Sequence, residues 1–226
     1  MQRRKPGDIS MSAMRSSLLA VAFAMIVSAC TATIVAASMI RAPQTARDNV
    51  VLAQARPNLN TQAQIYFLRG LANVFSRGMD GMAEKLRGDG FSPHVINHRG
   101  WQAAADTIIA SYRGGQTAPI IIVGHSLGAN AAFRMAKRLQ SANVPVAYLA
   151  TFDPTRTSSV PANVQHFANF YQNNGMGRPA TFPASRQKTK VNLNLTSSPG
   201  MTHTNIDQSP RLQRIVIGRI REVTAR

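Results

Sequence analysis

A serine hydroxyl becomes a useful nucleophile only beside a base that takes its proton, and that base works best when a carboxylate orients it. The sequence contains one serine set for that role. Gly124-His125-Ser126-Leu127-Gly128 follows Ile120-Ile121-Ile122-Val123 directly and precedes a helix-forming stretch. This G-x-S-x-G pattern acquires meaning only in such a strand–turn–helix setting, where a tight turn projects the hydroxyl outward. Gly124 and Gly128 lack side chains, so neighbouring backbone can approach the turn closely. The following helix N-terminus supplies backbone N–H donors and positive potential beside the hydroxyl. No GK[ST] follows, which excludes a P-loop.

The partners are sought in the order serine, carboxylate, histidine. His94 and His98 precede Ser126 and are out of order. His125 is adjacent to the serine and is expected to pack under the turn. His166 begins a strand rather than ending one. His203 lies in the polar run Gly200-Met201-Thr202-His203-Thr204-Asn205, before the last helix, and is the candidate base. Asp153, in Thr151-Phe152-Asp153-Pro154, ends an apolar strand, where a lone carboxylate needs a partner; it is the candidate acid. Asp207 follows His203 closely and is expected to cap or pre-cap the last helix. An oxyanion would be held by the N–H of Leu127 together with that of Leu71, with Gly70 permitting the conformation of the loop after the first strand.

The elements that must position these residues alternate. Gln64–Leu68, Pro93–Asn97, Ala118–Val123, Val144–Phe152 and Gln165–Tyr171 read as strands, and Met79–Arg87, Trp101–Tyr112, Ala129–Leu139 and Ser209–Val223 as helices. Strands apolar on both faces, separated by helices, imply a mostly parallel sheet covered by helices on both sides, with function at the carboxyl ends of the strands. The expected fold class is therefore α/β.

On Gly124–Gly128, Asp153-Pro154 and the late His203, residues 62–224 resemble the α/β-hydrolase superfamily, and Gly-His-Ser-Leu-Gly is similar in wording to lipases and acyl thioesterases. The resemblance implies a minimal α/β-hydrolase domain without a lid, an acyl-enzyme on Ser126, no cofactor, and a small-molecule or lipid-like acyl substrate. The span 173–199, polar and rich in Pro and Gly, is the only spacious insertion, which implies an open, shallow site. Triad chemistry leaves the acceptor open between hydrolysis and acyl transfer. The competing expectation is a non-catalytic, envelope-anchored binding protein on the same scaffold.

The chain has 226 residues and one cysteine, so an intrachain disulfide and a multi-thiolate zinc site are excluded. No constellation of histidines and carboxylates suits a metal. It carries 26 Lys+Arg against 9 Asp+Glu, a net charge of +17. That surplus favours anionic surfaces. The cations are scattered singly, without a nucleic-acid-binding signature, and no nucleic acid is expected. Residues 18–40 are uncharged and long enough to cross a bilayer, behind the basic Arg3, Arg4, Lys5 and Arg15. Three outcomes are open: a retained transmembrane anchor, a cleaved export signal, or lipidation at Cys30 in Val27-Ser28-Ala29-Cys30. All three place the remaining chain on the exported, periplasmic side of a bacterial envelope. Residues 1–45 are thus read as signal or anchor, 46–61 as linker and 62–226 as the hydrolase domain.

Overall fold

The computed structural model describes residues 62–71 and 76–225. The apolar segment 18–40 and Cys30 lie outside them. Among the described residues, no helix is long and apolar enough to cross a membrane.

Six strands form one sheet in the order β2-β1-β3-β4-β5-β6, every neighbouring pair parallel. They are β1 (Gln64–Arg69), β2 (His94–Asn97), β3 (Ile120–His125), β4 (Val146–Phe152), β5 (Val164–Tyr171) and β6 (Lys190–Asn194). Helices α1 (Arg77–Gly88), α2 (Trp101–Arg113), α3 (Leu127–Ser141) and α4 (Pro210–Thr224) cover it. The sheet is wholly parallel, as its doubly apolar central strands require.

Side-chain alternation sorts the core into two layers. Ile65 and Phe67 of β1, with Ile121 and Val123 of β3, pack on the side of Met79, Met82 and Leu86 of α1 and Val216 and Ile220 of α4. Tyr66 and Leu68, with Ile120 and Ile122, face the opposite side, against Ile108 of α2 and Met135 and Leu139 of α3. Burying each such side chain is worth about 1.5–3 kcal/mol, which is what fixes the strand registers.

The span 173–199 departs from the expectation of an insertion. It contains a 3-10 turn, Ala184–Thr189, and the edge strand β6. Lys190, Asn192 and Asn194 break the apolar pattern of this edge strand: the buried Lys190 ammonium donates to the Val164 and Gln165 carbonyls, and the Asn192 amide pairs with Ala180 and Asn169.

Candidate active site

Ser126, Asp153 and His203 meet at the carboxyl ends of β3 and β4. Ser126 Oγ lies 2.9 Å from His203 Nε2, and His203 Nδ1 lies 3.2 Å from Asp153 Oδ2. The two bonds are consistent with one tautomer: Nδ1–H donates to the carboxylate, and Nε2 accepts the serine O–H. Asp153 is 1% exposed and Ser126 6%, so the bonds form largely away from water.

Ser126 and Asp153 are held in strained backbone. Ser126 has φ 58° and ψ −122°, between the last residue of β3 and the first of α3. A non-glycine residue at positive φ costs about 1–3 kcal/mol and persists only where its surroundings force it. Here the Ser126 N–H donates to the Phe152 carbonyl at 2.9 Å, fastening the elbow to the neighbouring strand. A side chain at Gly124 would meet the Gly128 backbone, and one at Gly128 would meet the Leu68 and Arg69 carbonyls, so both glycines are dictated by close approach. Asp153 also has positive φ, 45°. Its Oδ1 accepts the Gln172 N–H at 2.7 Å.

Gly70 abuts the serine: a Cβ there would lie 3.0 Å from Ser126 Cβ and 3.1 Å from the His125 carbonyl. The expectation that Gly70 supplies an unusual backbone conformation is corrected, because it is absent from the positive-φ glycines; lack of space explains it. Leu71 follows with its side chain 62% exposed. Leu127 opens α3, where first-turn N–H groups have no intrahelical acceptor.

His125, buried as expected, also bridges two loops. Its Nε2–H donates to the His203 carbonyl at 2.7 Å, its Nδ1 accepts from Ser76 Oγ at 2.9 Å, and Ser76 Oγ accepts the Gly70 N–H at 2.9 Å. A carbonyl can only accept, so Nε2 carries the proton and the chain of bonds has a fixed direction. Burial pushes the His125 pKa down to about 4, keeping the ring neutral as that direction demands. The His125 and His203 rings stand 5.1 Å apart. Gln172 Nε2–H donates to the Met201 carbonyl at 2.8 Å, steadying the His203 loop from the other side.

Asp207 corrects the sequence reading. It lies in the 3-10 turn Ile206–Gln208 and caps α1 rather than α4, its Oδ2 accepting the Gly78 N–H at 2.9 Å. Its Oδ1 is buried without a partner. Burial pushes its pKa up to about 7, against backbone N–H donors that include Met79. The α4 N-cap is Ser209, without a side-chain cap bond.

Ser76, Gln172 and Gly177 went unseen in the sequence. Ser76 and Gln172 act through contacts distant in the chain, with no local pattern. Gly177 packs beneath the acid, where a Cβ would lie 2.9 Å from Asp153 Cγ. No group of three or more His, Cys, Asp or Glu among the described residues could hold a metal ion.

Residues 69–169 match the thioesterase domain family. No curated protein matches the chain. Similar solved structures include the type II thioesterase BorB from the borrelidin biosynthetic cluster, at 13% identity and TM-score 0.41, covering 74% of this chain and 96% of that one. A cutinase-like protein from Cryptococcus sp. is similar at 13% identity and TM-score 0.44, covering 74% and 98%. A hydrolase of the alpha/beta superfamily from Xanthomonas campestris pv. campestris is similar at 14% identity and TM-score 0.42, covering 71% and 96%. The wholly parallel six-stranded sheet, with its elbow after the central strand β3, is an α/β-hydrolase-like fold, and the thioesterase-domain match over residues 69–169 supports a hydrolase of the ester or thioester type.

Proposed function

We propose that the domain hydrolyses an ester or thioester through an acyl-enzyme on Ser126. The observation that carries this reading is the hydrogen-bonded sequence Ser126 Oγ, His203, Asp153, at 2.9 and 3.2 Å. In the first half-reaction His203 Nε2 takes the Ser126 proton as Oγ attacks the carbonyl, and returns it to the leaving alcohol or thiol. Asp153 holds Nδ1–H and offsets the imidazolium charge that forms. The oxyanion is assigned to the N–H groups of Leu127 and Leu71. Water, deprotonated by the same histidine, then attacks the acyl-enzyme, and the carboxylic acid leaves as Ser126 recovers its proton. The thioesterase-domain match supports an acyl substrate. Placement on the exported side of a membrane belongs to the proposal through residues 18–40 alone.

The test is steady-state hydrolysis of short p-nitrophenyl esters and acyl thioesters. Ser126→Ala and His203→Gln should each reduce kcat by about 10³-fold or more, the usual scale for losing a triad member. Unchanged turnover in folded Ser126→Ala protein would overturn the reading.

A further inference from the structure

A concave site lies on the α2–α3 face of the sheet. The cavity measures about 640 Å³ and is lined by Arg134 and Lys137 of α3, by Arg156 and residues 157–159 of the loop after β4, and by Arg186 of the 3-10 turn. Among the described residues, none of its lining groups is an acid. Arg134, Lys137 and Arg156 form no ion pair with any described carboxylate.

Two of the cations are held in place. The Arg134 guanidinium sits 5.5 Å over the Trp101 ring. Burial, then the charge of Arg156, lowers its pKa, which marks the two cations as neighbours with uncompensated repulsion. Arg186 is anchored by the carbonyls of Pro161, Ala162 and Val164 at 3.3, 2.9 and 2.7 Å. The Arg156 backbone N–H donates to the buried Asn130 side chain, itself 2.6 Å from Thr155 Oγ1. Folding has therefore assembled like charges around a hollow and left them unneutralised. A bound anion removes that cost, and a ligand with two or more adjacent anionic groups removes most of it.

We infer that this cavity is a binding site for a phosphate-bearing small molecule, its phosphates held by Arg134, Lys137, Arg156 and Arg186. The Arg134 and Arg156 guanidiniums suit phosphate, which each can grip through two bonds, while Arg186, its Nη atoms engaged by backbone carbonyls, adds positive charge. The Thr157, Ser158 and Ser159 hydroxyls add donors. The concave form suits a compact ligand rather than a nucleic-acid strand, which needs an extended basic track. The site is independent of the hydrolytic reading. Yet it begins at Asn130, four residues beyond Ser126 on α3, or about 6 Å of helix. A phosphate there could sit on the leaving group of the acyl substrate or on a free ligand.

Pyrophosphate titration by calorimetry at low salt decides the matter. Wild-type protein should bind one equivalent saturably, and Arg134→Gln/Arg156→Gln should weaken binding at least tenfold. Arg113→Gln/Arg211→Gln removes the same total charge away from the cavity and should change binding less than twofold. Ser126→Ala should bind as wild type. Absence of saturable binding, equal weakening by both double variants, or an oligonucleotide that outcompetes pyrophosphate at equal phosphate concentration would each overturn the inference. The source of the phosphate is read from acetyl-phosphopantetheine and acetyl-pantetheine. A KM rise confined to the phosphorylated thioester in the cavity variant assigns the phosphate to the substrate; KM values for both thioesters unchanged in that variant, while its pyrophosphate binding is weakened, assign it to a free ligand.

Discussion

Ser76→Ala removes one hydroxyl and leaves two buried groups without partners, the Gly70 N–H and His125 Nδ1. Leaving a buried polar group unsatisfied costs about 1–3 kcal/mol, so the loss for the two should total about 2–6 kcal/mol. For a domain of this size each kcal/mol lowers Tm by about 2–4 °C, giving a fall of roughly 4–24 °C by calorimetry. The hydroxyl also ties the loop at Gly70 to the backbone of His203 through His125. Its removal should lower kcat by about 10- to 100-fold, the scale expected when catalytic groups shift by up to an ångström. Because Ser76 and His125 share one chain of bonds, Ser76→Ala and His125→Phe should be non-additive in a denaturation cycle, by about 1–3 kcal/mol. A loss below 0.5 kcal/mol for Ser76→Ala, with strictly additive double-variant energetics, would refute the linkage.

The buried carboxyl of Asp207, its Oδ1 without a partner, makes stability fall with rising pH. Its folded pKa of about 7 lies above the unfolded value of 3.8, so its contribution is complete below about pH 3.8 and is lost as pH rises through 7. Asp207→Asn keeps an acceptor for the Gly78 N–H and never ionises, so its stability relative to wild type should improve by about 2–3 kcal/mol between pH 5 and 8; a difference independent of pH contradicts this. Taking that difference cancels the opposite contribution of His125, whose folded pKa near 4 costs stability only as pH falls from about 6.5 through 4. Gly177→Ala would place a methyl 2.8 Å from the Gln172 N–H and 2.9 Å from Asp153 Cγ, and should cut kcat/KM at least about tenfold while far-UV circular dichroism stays unchanged. Gly175→Ala, with nothing within 4 Å, is the control and should match wild type in both.

Ser126, Asp153 and His203 stood out in the sequence because their signals are local: a glycine-framed turn after a run of isoleucines, a carboxylate at a strand end, and a histidine in the remaining polar loop. The central strands were legible for the same reason, since burial on both faces demands unbroken apolar runs. The edge strand β6 was concealed by Lys190, Asn192 and Asn194, and so passed as part of an insertion. Asp207 was misread because capping rules are local, whereas its partner is the N-terminus of α1, 129 residues earlier. At Gly70 the space for a side chain is closed by Ser126 and the His125 carbonyl, a constraint that no local pattern expresses. Ser76 and Gln172 are ordinary polar residues until the fold delivers their partners from 49 and 29 positions away.

The central claim is that Ser126 is activated by His203. Fluorophosphonate labelling followed by peptide mass mapping tests it directly. Wild-type protein should rapidly form one adduct, on the peptide carrying Ser126, and His203→Ala should slow it at least about 100-fold. An adduct on another residue, or labelling of Ser126 at the same rate without the imidazole, would contradict it.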